Sequence, residues 1–145
     1  MNSAPGSKPE FQLDPRLAAD TLPVARLALC ELRLMNDARF AWLVLVPRQA
    51  GLVEIADLDD ARQQTLWHEV NRAGAALRHV APCDKLNLGA LGNIVRQLHV
   101  HVVARVEGDA AWPGPVWGSG VAEPYAPSTL TARIDALRSA LGVGG

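Results

Sequence analysis

The chain has 145 residues, 49% of them hydrophobic and 20% charged, which is typical of one soluble globular domain. Its net charge of −1 arises from 14 basic and 15 acidic residues without a long block of either sign, which argues against binding to nucleic acid. Without an apolar signal sequence or membrane-length run, we expect a cytoplasmic protein with no membrane partner, in which Cys30 and Cys83 are reduced, buried thiols.

The N-terminal residues predict a tail followed by a short helix. Residues 1–11 are polar and rich in small residues, so we expect a disordered tail before a single domain over 12–145. Asp14 before Pro15 is typical of a helix start and predicts a helix through about Asp20.

Two apolar segments then predict a β-hairpin. Residues 27–35 favour a strand, although the Leu, Ala and Glu among them leave a helix as a competing interpretation. Residues 36–39 supply turn-forming side chains, and residues 40–46 are rich in β-forming residues until Pro47.

A long helix is predicted in the middle of the chain. Asp57 or Asp59 can cap it, and Pro82 ends it. Its apolar residues recur at helical spacing on one face: Leu66, Val70, Ala73, Leu77 and Val80.

The remaining segments predict two more strands and a final helix. Residues 85–93 and 94–106 favour strands joined by a glycine-containing turn, and residues 107–120 form a loop. Ser128 can cap a helix with Leu130, Ile134, Leu137 and Leu141 on one stripe. Strands joined by tight turns are antiparallel, so we expect an α+β fold in which an antiparallel sheet packs on the long helix.

The segment "RQLHVHVVAR" places two histidines on one face of a strand. Because side chains alternate, Gln97, His99, His101 and Arg105 share a face, opposite a face of aliphatic residues (Leu98, Val100 and Val102). The Cα atoms of residues i and i+2 in a strand lie about 6.6 Å apart, so both imidazoles can act on one small group.

The other histidines and the tryptophans have simpler interpretations. His68 and His79 are eleven positions apart on the long helix, too far for joint ligation, and are expected to be packed or exposed. We expect Trp42 and Trp67 in the core and Trp112 as a loop anchor.

The text "NLGALGNIVRQLHVHVVAR" followed by "WPGPVWG" resembles the histidine triad family of nucleotide-binding hydrolases and transferases. That family carries His-x-His-x-His followed by two apolar residues, and here Gln97 stands in the place of the first histidine. The order of elements from Leu27 to Trp117 agrees with the family pattern. The resemblance implies a histidine triad-like fold, a nucleotide substrate and a homodimer. We expect no cofactor and assign no metal ligand on this interpretation, and the sequence leaves open whether a divalent metal assists.

The resemblance also implies roles for particular residues. His99 stands at the position of the family's nucleophile, and His101 would steady a phosphate oxygen or assist the leaving group. Gln97 would contact the phosphate or the leaving group, and Asn87 matches the family's polar phosphate-binding position. The expected reaction is cleavage at the α-phosphorus of a nucleoside phosphoramidate or a dinucleoside polyphosphate, such as an Ap4A-like compound, through a nucleotidyl-histidine.

Two further residues have open roles. Asn36 matches a family position that contacts the ribose, and a turn-forming role is equally compatible with its place between two strands. Arg105 shares the histidine face, where phosphate binding and a surface or dimer contact are alternatives.

Two alternative functions remain open. The chain could be a non-catalytic nucleotide-binding module in which Gln97 marks lost activity. It could also hold a metal on His99 and His101, with Glu107 or Asp109 as a third ligand.

Overall fold

The computed structural model describes residues 9–144 and contains a five-stranded sheet with strand order β1-β2-β3-β5-β4. Each pair of neighbouring strands is antiparallel, which confirms the predicted α+β architecture. The elements are α1 (Pro15–Asp20), β1 (Thr21–Arg26), β2 (Cys30–Met35), β3 (Ala41–Pro47), α2 (Asp60–Val80), β4 (Lys85–Gly89), β5 (Val100–Arg105) and α3 (Pro127–Leu141). No helix within residues 9–144 is both long and apolar enough to cross a membrane.

Helix α2 forms as its sequence period predicts. Asp59 is the N-cap, and its carboxylate accepts a hydrogen bond from the backbone N–H of Arg62 at 2.8 Å. Asp57 instead ends a short 3₁₀ turn and accepts from the N–H groups of Val53 and Glu54. The predicted apolar stripe is buried against the sheet at Leu66, Val70, Ala73 and Leu77.

Both faces of the sheet are covered, so β3 and β5 are buried along their whole length. One face, with the aliphatic residues of β5, packs on α2 and α3. The other face carries Trp42, Val44 and Val103 and is covered by apolar residues from two separate segments. We call this cover the outer layer; it comprises Phe11, Leu13, Leu17, Val116 and Trp117. Phe11 therefore packs on the domain although the predicted tail includes it, and residues 1–8 of that tail lie outside the described part of the chain.

Strand β1 is absent from the sequence prediction. It is a six-residue edge strand that contains Pro23, and its register with β2 shifts between Pro23 and Ala25. Proline is tolerated at such an edge, although it weakens the strand signal in a sequence. The segment predicted as one strand over 27–35 begins pairing only at Cys30, since the N–H of Leu27 donates to the Cys30 carbonyl at 2.8 Å and turns the chain.

The predicted tight turn between the last two strands is wrong. Pairing in β4 ends at Gly89 and resumes in β5 at Val100, so residues 90–99 form an irregular connection that we call the site loop. Gly92 has φ of +69°, which favours glycine, and Ile94 is exposed, so the apolar pattern of this segment does not reflect a strand.

Three smaller predictions are corrected. The N-cap of α3 is Ala126 rather than Ser128, because Pro127 takes the first helical position. Trp67 lies on the solvent side of α2 with 43% of its surface exposed, so it is not a core residue. Cys30 is buried as expected, whereas Cys83 is half-buried, and both are free thiols.

Candidate functional site

The paired histidines enter the sheet at the start of β5. His99 immediately precedes the strand and His101 is its second residue. Their ring centroids lie 4.8 Å apart with the planes inclined at 67°, and each residue is only 6% exposed. The predicted alternation is confirmed, since both rings lie on the face opposite α2.

The tautomer of His99 follows from its hydrogen bond. Its Nδ1 lies 2.7 Å from the backbone carbonyl oxygen of Gln97. A carbonyl only accepts, so Nδ1 carries the ring proton in the neutral form. Nε2 then bears an in-plane lone pair and has no hydrogen-bond partner among residues 9–144. The arrangement orients a nucleophilic nitrogen.

The tautomer of His101 is fixed in the opposite sense. The indole Nε1–H of Trp42 donates to His101 Nδ1 at 2.9 Å. An indole only donates, so Nδ1 must hold a lone pair and the proton must lie on Nε2. Burial, and next the charge of His99, lower the pKa of His101 to about 3, so the ring is a neutral donor near pH 7. Trp42 is a core residue as predicted, but its polar contact was not anticipated.

The carboxamide of Gln97 is occupied at both ends. Its Oε1 accepts from the backbone N–H of Asp14, and its Nε2 donates to the carbonyl of Gln12, each at 2.8 Å. The side chain therefore ties the N-terminal segment to the site loop. Each end of the amide therefore has a protein partner, and the predicted contact with phosphate or a leaving group stays a prediction.

Arg105 is buried at 1% exposure, so a surface contact does not describe it. Its guanidinium forms a bidentate pair with Asp109 at 2.8 Å and donates to Asn87 Oδ1 at 2.9 Å. It also stacks over the rings of Phe40 and Trp112, each 5.6 Å from ring centroid to Cζ. Trp112, 36% exposed, anchors its loop through this contact. Because the oxygen of Asn87 faces Arg105, its amide nitrogen is the end left for another partner.

Asn36 lies apart from the histidines, at the far end of β2. Its Oδ1 accepts from the backbone N–H of Tyr125 at 2.9 Å. The adjacent Asp37 is buried and paired with Arg39, and the Ala38 N–H donates to the Glu123 carbonyl. This end of the sheet holds the segment before α3, which supports the turn-forming interpretation of Asn36.

A pocket of about 460 Å³ borders His99. Its walls are residues 53–56, residues 90–93 and residues 96–99, so the site loop supplies most of it. Its polar side chains are Glu54, Asn93, Arg96 and Gln97. The sequence prediction missed Glu54, Asn93 and Arg96 as site residues. The glycines around Asn93 were the available signal, but the segment was interpreted as strand.

The backbone of the site loop has unused donors. Among the described residues, no N–H group from Leu91 to Gln97 donates to another protein group, and the Leu98 N–H donates to the Leu52 carbonyl at 3.0 Å. Backbone N–H groups that are free and converge on one point can bind an anion, since each can donate to a phosphate oxygen. Arg96 adds a full positive charge to the same wall.

The alternative metal site lacks a third ligand in this arrangement. Within residues 9–144, no three His, Cys, Asp or Glu side chains are grouped to hold a metal ion. The carboxylate of Asp109 is used by Arg105, and both Nδ1 atoms of the histidines are occupied by Gln97 and Trp42.

An antiparallel sheet backed by a long helix, with two buried imidazoles entering a central strand, defines an α+β protein of the histidine triad type. The model of the HIT domain family matches residues 17–108. The chain belongs to the HIT domain family. No curated protein matches it significantly.

Solved structures agree with this assignment. A histidine triad protein from Sinorhizobium meliloti 1021 is 48% identical, with a TM-score of 0.87 over 89% of this chain and 96% of that one. A histidine triad protein from Bradyrhizobium japonicum is 44% identical, with a TM-score of 0.90, and the match covers 92% of this chain and 99% of that one. A third histidine triad protein, from Marinobacter aquaeolei VT8, is 41% identical, with a TM-score of 0.90, and the match covers 92% of this chain and 98% of that one.

Proposed function

We propose that this protein is a nucleotide hydrolase that cleaves a nucleoside phosphoramidate or a dinucleoside polyphosphate at the α-phosphorus, with His99 as the nucleophile. The observation that carries the proposal is the hydrogen bond from His99 Nδ1 to the Gln97 carbonyl, which leaves the Nε2 lone pair of this pocket-lining residue free. Family membership supports a phosphorylated nucleotide as the ligand of this site.

The proposed reaction has two displacements. The Nε2 lone pair of His99 forms a bond to the α-phosphorus while the bond to the leaving group breaks, and the leaving group takes that electron pair. The carbonyl of Gln97 stabilises the positive charge that develops on the imidazole ring. Water then attacks phosphorus, the N–P bond breaks, and its electron pair returns to Nε2 with loss of a proton from the water.

Negative charge on the substrate would be held by the site loop. The pocket-lining residues of this loop, 91–93 and 96–97, have free N–H groups, and with the guanidinium of Arg96 they supply the donors that a phosphate chain requires. His101 adds an Nε2–H donor next to the attacking ring. Asn87 would donate its amide nitrogen to a phosphate oxygen, with Arg105 holding its other end.

Gln97 would act through the N-terminal segment rather than on the substrate, which makes this site a variant with two functional imidazoles. A variant of this kind can also bind nucleotides without hydrolysing them. The occupied carboxamide of Gln97 is the observation that favours this second function.

Turnover decides between the two functions. Wild-type protein and His99→Ala are incubated with adenosine and guanosine phosphoramidates and dinucleoside polyphosphates, and phosphorus NMR and mass spectrometry identify the products. Nucleoside monophosphate released only by wild type is the result we expect. Equal release by both proteins excludes His99 as nucleophile, and binding without release by wild type establishes a nucleotide-binding module.

We also propose that the protein is a homodimer that pairs through the exposed edge strand β4. Leu88 on this strand is 48% exposed, and Leu91 and Ile94 beside it are also exposed. An apolar sheet edge is a ready site for strand pairing or for burial against a second copy. Sedimentation equilibrium of wild type and Leu88→Lys tests this: a dimer that Leu88→Lys weakens is expected, and a monomeric wild type contradicts it.

A further inference from the structure

The two imidazoles of the site are held in opposite tautomers by partners that cannot change roles. The Gln97 carbonyl accepts from His99, and the Trp42 indole donates to His101. Trp42 and His101 lie 59 positions apart in the chain. They meet because β3 and β5 are neighbouring strands, in which Trp42 lies directly opposite Val103. One ring therefore offers a lone pair at Nε2 and the other a proton at Nε2.

We propose that Trp42 is a positioning residue that keeps His101 a neutral hydrogen-bond donor, so that the site favours substrates whose leaving group is a phosphate over those whose leaving group is an amine. This inference rests on the proposed hydrolysis at His99. It deepens that function by selecting one of its two substrate classes, the dinucleoside polyphosphates.

The chemistry of the leaving group explains the selection. When a P–O–P bond breaks, the electron pair goes to a phosphate oxygen, which is stable as an anion and needs no proton. When a P–N bond breaks, the electron pair goes to nitrogen, which must receive a proton as it departs. A neutral imidazole that donates a hydrogen bond through Nε2 can stabilise an oxygen anion but is a poor acid.

The rings packed against His101 do not replace that acid. His101 packs against Trp42, Trp117 and His99, of which His99 is the only titratable group, and Gln97 is an amide. The pocket wall adds the guanidinium of Arg96 and the carboxyl group of Glu54, and neither residue belongs to the ring cluster around His101. Burial of His101, together with the charge of His99, holds the pKa of His101 well below its ordinary value.

The first test measures the tautomers directly. Nitrogen-15 NMR of the full-length protein should show His101 protonated only on Nε2 from pH 5 to pH 8, without titration. Trp42→Phe should give a mixture of tautomers. Trp117→Phe is the matched control, since its ring centroid lies 5.5 Å from that of His101 but its Nε1 donates to none of the described residues. A wild-type His101 that carries a proton on Nδ1, or titrates near pH 6.5, overturns the proposal whether or not the protein is active.

The second test compares leaving groups. Wild type is given diadenosine tetraphosphate and an adenosine 5′-phosphoramidate of an alkylamine, each at saturating concentration at pH 7.5. We expect the polyphosphate to turn over at least tenfold faster. For diadenosine tetraphosphate, we further expect Trp42→Phe to lower kcat at least tenfold with little change in KM. Trp117→Phe should leave kcat for this substrate unchanged.

The outcomes separate the two claims. Equal or faster cleavage of the phosphoramidate overturns the leaving-group preference and leaves His99 as nucleophile. Absence of turnover with both substrates overturns the proposed hydrolysis and the preference together, while the NMR result still decides the role of Trp42.

Discussion

The backbone N–H of Asp14 donates a 2.8 Å hydrogen bond to the carboxamide of Gln97, across 83 positions of sequence. The nitrogen of the Gln97 carboxamide donates to the backbone carbonyl of Gln12. The Gln97 side chain is therefore hydrogen-bonded to the backbone on both sides of Leu13. Leu13 and its neighbour Phe11 belong to the outer layer that covers the histidine face of the sheet. Gln97 therefore links the N-terminal segment to the site.

Replacing Gln97 by Ala should loosen this segment. Both hydrogen bonds are lost, so amide exchange over residues 10–14 should accelerate roughly fivefold to thirtyfold, equivalent to ~1–2 kcal/mol of local stability. Hydrogen–deuterium exchange with mass spectrometry measures the effect. Gln97→Glu is the matched comparison, because it can still accept from Asp14 but cannot donate to Gln12, and its effect should be smaller. Unchanged exchange in Gln97→Ala contradicts the role assigned here.

Asp109→Asn should destabilise the fold through the buried pair with Arg105. Hydrogen bonds from Arg105 lower the pKa of Asp109 from 3.8 to about 2. A lowered carboxyl pKa stabilises the folded state above the unfolded pKa, and this contribution is lost as the pH falls from about 4 to about 2. The variant also leaves a buried guanidinium without its carboxylate, so a loss of about 3 kcal/mol is expected at pH 7.

Urea unfolding from pH 7 to pH 2 checks this prediction. The difference between wild type and Asp109→Asn should be constant above about pH 5 and should narrow between pH 4 and pH 2. Asp59→Asn is the control, since Asp59 pairs with Arg62 in solvent and asparagine is also a good helix cap. It should cost under ~0.5 kcal/mol. A difference for Asp109→Asn that does not depend on pH contradicts the account.

Glu69 should be a sensitive buried polar residue of α2. It is 2% exposed, and its two carboxylate oxygens accept from the backbone N–H groups of Leu29 and Cys30 at 2.9 Å and 2.8 Å. Glu69→Ala leaves two buried donors unpaired and should cost about 3 kcal/mol in thermal or chemical unfolding. Glu69→Gln keeps one acceptor oxygen and should cost less, while the exposed neighbour His68→Ala should be neutral. Equal stability of Glu69→Ala and wild type is incompatible with this role.

Gly89 should not tolerate a side chain while Trp117 is present. A Cβ atom at Gly89 would lie 2.8 Å and 3.0 Å from two carbons of the Trp117 ring, so the indole must move. Gly89→Ala should destabilise the protein by about 1–3 kcal/mol, as expected for overpacking. The smaller ring of Trp117→Phe removes those two carbons, so the double variant should recover most of the loss. Additive effects in this double-mutant cycle contradict the contact.

The helices and the two sheet faces could be predicted because each depends on local periodicity. The apolar residues of α2 recur at helical spacing, and the alternation at His99 and His101 separates the two faces of β5. Strand β1 could not be found in the same way, because a six-residue edge strand with Pro23 has a weak pattern and gains its stability from pairing with β2.

Only the local contacts of the candidate site could be predicted from the sequence. His99 and its bond to Gln97 are local and could be anticipated, since they lie two positions apart. The contacts of His101 with Trp42 and of Gln97 with Gln12 depend on strand neighbours and on the path of the N-terminal segment. The free backbone N–H groups of the site loop were not predicted, because the apolar composition of this segment favours a strand.

Detection of the covalent intermediate tests the central claim most directly. Wild-type protein is mixed with diadenosine tetraphosphate, quenched in alkali within milliseconds to seconds to protect the N–P bond, and examined by intact-mass and peptide mass spectrometry. We predict a transient adduct of one adenylate per chain on Nε2 of His99, formed before free AMP accumulates and absent from His99→Ala. Rapid AMP release by wild type without any adduct, or release by His99→Ala at the wild-type rate, would contradict the account.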